Sequence, residues 1–389
     1  MTFDFDTPID RSGSNSLKFD ARQAYFGRAD VLPMWVADMD FAAPQAVTEA
    51  LVKRAEHPLY GYTMYPDSLY QAMIDWCARR YDWSVKQSDI IMCPGVVPSL
   101  HAVIEALTAP AEKVVVQPPV YFPFFSAVTQ TGRELVLNPL QLEEGEYGLD
   151  LEHLETCFKQ GARLLLLCSP HNPVGRVWRQ DELQALLDLA ERYQVTIISD
   201  DIHADLIYPG QRHLPLADMT DSVNIITAIA PSKTFNIPGL GLSTLVVPDK
   251  QQRKQINQVF ESWHVSAANP FSITAFEAAY QYGDSWLDAL MPYLHNTMQS
   301  VSDIVSTELP QITLIQPQGT YLLWLDCREM QLDNQALRRF FIDKAGVGMN
   351  PGYVFGESGS GFMRMNIGTP QKQVEQAMQQ IVSAVRQTL

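Results

Sequence analysis

Apolar residues in the middle of the chain come in short unbroken runs separated by amphipathic stretches. Lys113 to Val116 carries three consecutive valines, and Arg163 to Cys168 holds Leu164, Leu165, Leu166 and Leu167 in a row. Val195 to Ser199 and Val223 to Thr227 are rich in β-branched residues. Such runs, without polar alternation, suit strands covered on both faces, as in a mainly parallel sheet. Between them the spacing changes. In Asp181 to Tyr193, Leu183, Leu186, Leu187 and Ala190 fall at i, i+3, i+4 and i+7, which predicts a helix with one apolar stripe. Ser99 to Leu107 and Leu151 to Phe158 read the same way. Alternating strands and helices predict an α/β sandwich whose ligand groups gather at the carboxyl ends of the strands.

The tail reads differently. Ser285 to Glu308 predicts one long helix. A strand at about Tyr321 to Asp326, a helix at about Asn334 to Lys344 and a strand at Phe362 to Ile367 come next. The last helix has Val374, Met378, Ile381 and Val385 on one face. This is the pattern of a smaller α+β lobe. The first 45 or so residues are aperiodic and are expected to pack against it. The chain has 389 residues, too many for one simple core. The expected division is an N-terminal segment 1–45, a large domain 46–284 and a small domain 285–389.

Hydrophobic residues at 46% and charged residues at 19% are ordinary for a globular enzyme. The net charge of −16 argues against nucleic acid and anionic membranes as partners. No apolar stretch reaches the roughly 18 residues of a membrane span. The acidic start, Met1 to Asp6, lacks the basic and apolar regions of a secretory signal. Five scattered cysteines without a C-x-x-C pair point to reduced thiols and a cytoplasmic setting, and no metal is expected.

Lys233 is the most informative single residue. It sits in Ala230-Pro231-Ser232-Lys233-Thr234-Phe235-Asn236, just after the strand-like run 223–227. An amine there is poorly placed for solubility and well placed to condense with an aldehyde. Asp200 closes the run 195–199, and Asn172 lies in the Pro/Gly-rich turn Ser169 to Gly175 after the leucine run. A lysine for an aldehyde and an acid for a pyridinium nitrogen are what pyridoxal phosphate chemistry needs of a protein. Each residue also has a plainer reading: an Asx turn at Asn172, a helix N-cap at Asp201, a structural histidine at His203. Cys93-Pro94-Gly95-Val96-Val97 joins a strand (Ile90 to Met92) to a helix, where free amides suit a phosphate as well as any βα turn. Tyr121, after another strand, suits stacking on a planar ring or a place in an aromatic core.

Taken together, these residues resemble the fold-type I pyridoxal phosphate enzymes of the aspartate aminotransferase class, and within it the cystathionine β-lyase or cysteine C–S lyase subgroup. The similarity covers nearly the whole chain. It includes Met34 to Phe41, Tyr60-Gly61-Tyr62, Ser169 to Pro173, Ser199 to His203, Pro231 to Asn236, Gly319 to Asp326 and Gly361 to Asn366. The resemblance implies a large domain with a mainly parallel seven-stranded sheet in an αβα sandwich, plus a smaller α+β domain. It implies that Lys233 binds the cofactor covalently and that Asp200 partners the pyridine nitrogen. Asn172 would face the phenolate oxygen and Tyr121 the ring. Val96, Val97 and Ser232 would hold the phosphate. Tyr62 would reach the phosphate of a neighbouring subunit, which implies a homodimer with shared sites. Arg364 would grip the substrate α-carboxylate, with Ala37 and Tyr321 beside it, and Tyr121 or Tyr62 would assist Lys233 in proton transfer. Three positions depart from the transaminase pattern. His203 replaces a tyrosine, Ala230 a serine and Gly241 an arginine, so two phosphate anchors are missing. Those gaps favour β-elimination from a small sulfur amino acid, to a thiol, pyruvate and ammonia. An aminotransferase or a cofactor-binding regulatory protein is the alternative.

Overall fold

The computed structural model describes residues 3–266 and 268–388. Seven strands form the central sheet: β1 Ile90–Cys93, β2 Lys113–Val116, β3 Glu134–Leu137, β4 Leu164–Cys168, β5 Thr196–Asp200, β6 Ile225–Ile229 and β7 Ser243–Val246. Their order is β1-β7-β6-β5-β4-β2-β3, and only β7 runs antiparallel to its neighbours. Every residue of β4 and β6 is buried because helices cover both faces, which is why these strands lack polar alternation. Each Leu or Ile removed from water there contributes about 1.5–3 kcal/mol. Strand β6 begins two residues later than its β-branched run. The Thr220 hydroxyl accepts from the Ser222 and Val223 amides and holds that stretch in a turn.

A second, antiparallel sheet has the order β8-β9-β11-β10, with β8 Thr313–Ile315, β9 Leu322–Asp326, β10 Asn350–Pro351 and β11 Phe362–Asn366. The long helix Asp284–Glu308 and the final helix Gln371–Thr388 accompany it. The N-terminal stretch is more ordered than its aperiodic sequence suggests. Helices Leu17–Asp20 and Arg22–Phe26 are too short to show a helical period, and Leu32–Pro33 pairs in parallel with Val347–Gly348. A charge cluster pins it. Lys18, fully buried, bonds Asp40 at 2.7 Å, while Arg11 reaches Asp38 at 2.7 Å and Asp40 at 2.6 Å. Buried charges are tolerated only when paired in this way.

Candidate active site

Neighbouring strands β4, β5 and β6 deliver three of the candidate site's side chains at or just beyond their carboxyl ends. Cys168 pairs with Asp200, and Asp200 with Ala228, so the ladder sets the spacing of the turns that leave the three strands. After β4 the chain turns through Asn172, whose side chain and backbone are both held. Its Oδ1 accepts from Arg364 Nη1 at 3.0 Å, its carbonyl from the Tyr121 amide at 3.1 Å, and its amide donates to Cys168 Sγ at 3.4 Å. The Asn172 Nδ2 donor is thereby turned away from Arg364. After β6, Pro231–Thr234 forms a single helical turn. Thr234 anchors it by donating to Asp205 at 2.6 Å, and Asp205 also accepts from Tyr81 and Trp76. After β1, Gly95 adopts φ +152° and ψ 162°, a conformation open essentially to glycine, and starts the helix Val96–Leu107. The first amides of that helix have no intrahelical acceptor.

These segments enclose a cavity of about 280 Å³. Burial, then the Arg364 cation, pushes the Lys233 amine down to about 8. Its Nζ donates to the Ala37 carbonyl at 2.6 Å. Burial pushes the Asp200 carboxyl up to about 7, and its one hydrogen bond comes from the Ile202 amide at 3.2 Å. Burial, with Lys233 and Arg364 nearby, holds His203 down at about 3, so its imidazole is neutral. Arg364, only 3% exposed, donates to Asn172, Asn350 and the Trp35 carbonyl and stacks over Phe355, while its Nε has no partner. Burial draws it down to about 10, which leaves it cationic at neutral pH. Among the described residues no carboxylate pairs with Arg364, and none pairs with Lys233.

A family model described as aminotransferase class I and II matches residues 29–381. The chain belongs to the aminotransferase class I and II family. It is 40% identical over 384 residues to the cystathionine beta-lyase PatB of Bacillus subtilis (strain 168), covering 98% of this chain and 99% of that one. The crystal structure of cystalysin from Treponema denticola, which contains a pyridoxal 5'-phosphate cofactor, matches with a TM-score of 0.96 and 32% identity, covering 100% of both chains. The PLP-bound C–S lyase from Staphylococcus hominis matches with a TM-score of 0.92 and 30% identity, covering 99% of this chain and 98% of that one.

Within this aminotransferase class I and II fold, most residues singled out from sequence meet in the cavity. Val96, Val97, Tyr121, Asn172, Asp200, His203, Ser232, Lys233 and Ala37 line it. Arg364 stands behind Asn172, and the Tyr321 hydroxyl donates to the Ala37 carbonyl at 3.0 Å. Tyr62 does not join them. It stands fully exposed in an irregular segment with Leu59, Tyr60 and Met64. Asp201 caps no helix: a turn comes after it, and its carboxylate bonds Ser199 and His213 instead. Sequence reasoning missed Asn350, which lies opposite Arg364 across the β10–β11 pair, and Ser243, whose buried hydroxyl has no partner. Neither belongs to a periodic pattern or a local motif, and only the pairing of distant strands brings them in.

Proposed function

We propose that this chain is a pyridoxal 5'-phosphate-dependent carbon–sulfur β-lyase. Its substrate is L-cystathionine, L-cysteine or a related S-substituted cysteine, and its products are a thiol, pyruvate and ammonia. The observation that carries the reading is a set of unpaired charges in one enclosed space. Lys233 and Asp200 line the same cavity without bonding each other, and Arg364 beside it has no counter-ion among the described residues. Buried charges of this kind call for ligands of matching charge. The donor set fits pyridoxal phosphate: an amine for its aldehyde, an acid for its ring nitrogen, and helix-start amides with Ser232 for its phosphate.

When bound, pyridoxal phosphate supplies an electron sink next to the substrate Cα, which eases loss of a proton there and departure of sulfur from Cβ. Asp200 would hold a proton at the ring nitrogen. The Nδ2 of Asn172, turned away from Arg364, would donate to the phenolate oxygen, and Tyr121 would flank the ring. His203, neutral, lines the same wall. Arg364 takes the α-carboxylate, aided by the 35–39 segment and Tyr321. Lys233 has an appreciable neutral fraction near pH 8 and serves as the base for the Cα proton. Ala230 and Gly241 bring no polar side chain, so the phosphate would rest on the Val96 and Val97 amides, Ser232 and, in a homodimer, Tyr62 reaching across from the neighbouring subunit. The exposed run Leu59, Tyr60, Tyr62 and Met64 supports a homodimer with shared sites. Five buried, unpaired cysteines agree with a cytoplasmic setting. No helix among the described residues is long and apolar enough to cross a membrane.

The test is one product assay with cystathionine and with cysteine, each with and without a 2-oxo acid. Pyruvate and ammonia are expected without the 2-oxo acid. Strict dependence on it would replace the lyase with a transaminase, and no turnover on any substrate would leave a regulatory role.

A further inference from the structure

The order β1-β7-β6 sets strand β7 between two of the segments that border the cavity. The turn after β1 leads through Gly95 to the amides of Val96 and Val97, and the turn after β6 carries Ser232. Because β7 runs antiparallel to both strands, its first residue, Ser243, lies at their carboxyl ends. It pairs with Cys93, the last residue of β1. Thr244 pairs with Ile229, so Ser243 stands one step on, beside Ala230. Register also fixes its side, since directly paired residues share a face of the sheet, as do residues i and i+2. Ser243 therefore points the way of Cys93, Leu245 and Ile91, which cluster with Val96 and Leu100 of the helix Val96–Leu107. It lines the cavity together with Gly95, Val96, Val97 and Ser232. Its side chain is fully buried, and the hydroxyl has no hydrogen-bond partner among the described residues. Nearby hydroxyls are already engaged: Ser99 donates to the Gly95 carbonyl at 2.7 Å and Thr244 to the Ile229 carbonyl at 3.3 Å. A buried hydroxyl without an acceptor is costly to a fold, and in a cavity wall a ligand can supply the acceptor.

We propose that the Ser243 hydroxyl is a further anchor for the cofactor's phosphate, donating to it from between the Val96 and Val97 amides and Ser232. The inference rests on the cofactor reading given above. The aldehyde, the ring nitrogen and the phenolate oxygen are matched to Lys233, Asp200 and Asn172, which follow or close β6, β5 and β4. The phosphate is the acceptor left for a donor that stands between β1 and β6. The hydroxyl missing at Ala230 is thus supplied from the adjacent strand, by the residue that lies beside it.

The test compares pyridoxal phosphate with pyridoxal, which keeps the aldehyde, ring nitrogen and phenolate oxygen and lacks the phosphate. Both affinities are measured by equilibrium dialysis on the full chain stripped of cofactor. Ser243→Ala is expected to bind pyridoxal phosphate about tenfold more weakly, the loss of one hydrogen bond to a charged group. Pyridoxal should bind within about twofold of wild type. Thermal melts give a second readout: without cofactor, Ser243→Ala should melt no lower than wild type, because the deleted hydroxyl has no partner there. Unchanged affinity for pyridoxal phosphate overturns the proposal, and so does an equal loss for both ligands. A cofactor-free variant that melts well below wild type also overturns it, as the mark of a hydroxyl bonded within the fold. If Ser243→Ala does not fold, Ser243→Cys, similar in size and a weaker donor, decides by the same pair of ligands. Weaker binding of pyridoxal phosphate alone supports the anchor, and unchanged or equally weakened binding of both overturns it. A wild-type protein that binds neither ligand fails at the cofactor reading itself, a result distinct from all of these.

Discussion

On one side of the cavity, Asn172, Asp200 and Lys233 are carried by three neighbouring parallel strands, and the ladder that spaces them repeats from residue to residue. On the other side, Arg364 lies in strand β11 and Tyr321 just before its partner β9, while the 35–39 segment is irregular and joins them through individual hydrogen bonds. Arg364 donates to the Trp35 carbonyl, Tyr321 and Lys233 share the Ala37 carbonyl, and Asn236 grips Met39 through both its backbone groups. A ladder distributes its stability over many bonds, so a change at the sheet side removes chemistry and leaves the frame. The 35–39 segment has no such reserve. A change there loosens the grip on the substrate and leaves the reacting groups in place.

Four substitutions sharpen that contrast. Lys233→Ala is expected to lower pyruvate release from cystathionine by more than about 10³-fold, the combined loss of nucleophile and base. Wild-type turnover in that variant would remove Lys233 from the chemistry. Arg364→Ala is expected to lower kcat/KM by roughly 2–5 kcal/mol, chiefly through KM, because it deletes one partner of a buried charge pair. An unchanged KM would show that the substrate carboxylate binds elsewhere.

Asp200→Asn separates stability from function. In the cofactor-free protein the folded carboxyl titrates at about 7, against about 3.9 unfolded, so the folded state binds the proton more tightly. Stability therefore falls as pH rises between those values. Denaturant melts of the cofactor-free protein should find Asp200→Asn close to wild type at pH 4 and up to about 4 kcal/mol more stable at pH 8. Equal stability at both pH values would mean that Asp200 is not strained there. The smallest effect belongs to Asn350→Ala, which removes one hydrogen bond to the Arg364 guanidinium. KM should rise by the equivalent of about 1.5 kcal/mol with kcat little altered, and a fall in kcat alone would contradict a purely orienting role.

The same contrast governs how far the sequence was legible. Leu164 to Leu167 and the 195–199 run announce strands because burial on both faces leaves no room for polar alternation. The polar residues that close them stand out against that background, which is why Asn172, Asp200 and Lys233 could be picked by position. Strand β3, half-exposed at the sheet edge, and β7, the antiparallel one, lack such a contrast. Asn350 and His213 have no local signature, because each meets its hydrogen-bond partner far along the chain or around a turn. Tyr62, Arg364 and Tyr321 were named through resemblance to a family, since no periodicity marks them. Lys18 gave no signal, because a buried lysine is intelligible only once Asp40 is seen beside it.

The lone guanidinium of Arg364 also shapes what the protein meets outside its reaction. A desolvated positive charge beside an accessible cavity attracts any small anion of suitable shape. Carboxylate and sulfate buffers would then act as weak competitors of the amino acid. Thioether amines that lack a carboxylate would gain nothing from entering, whatever their sulfur chemistry offers.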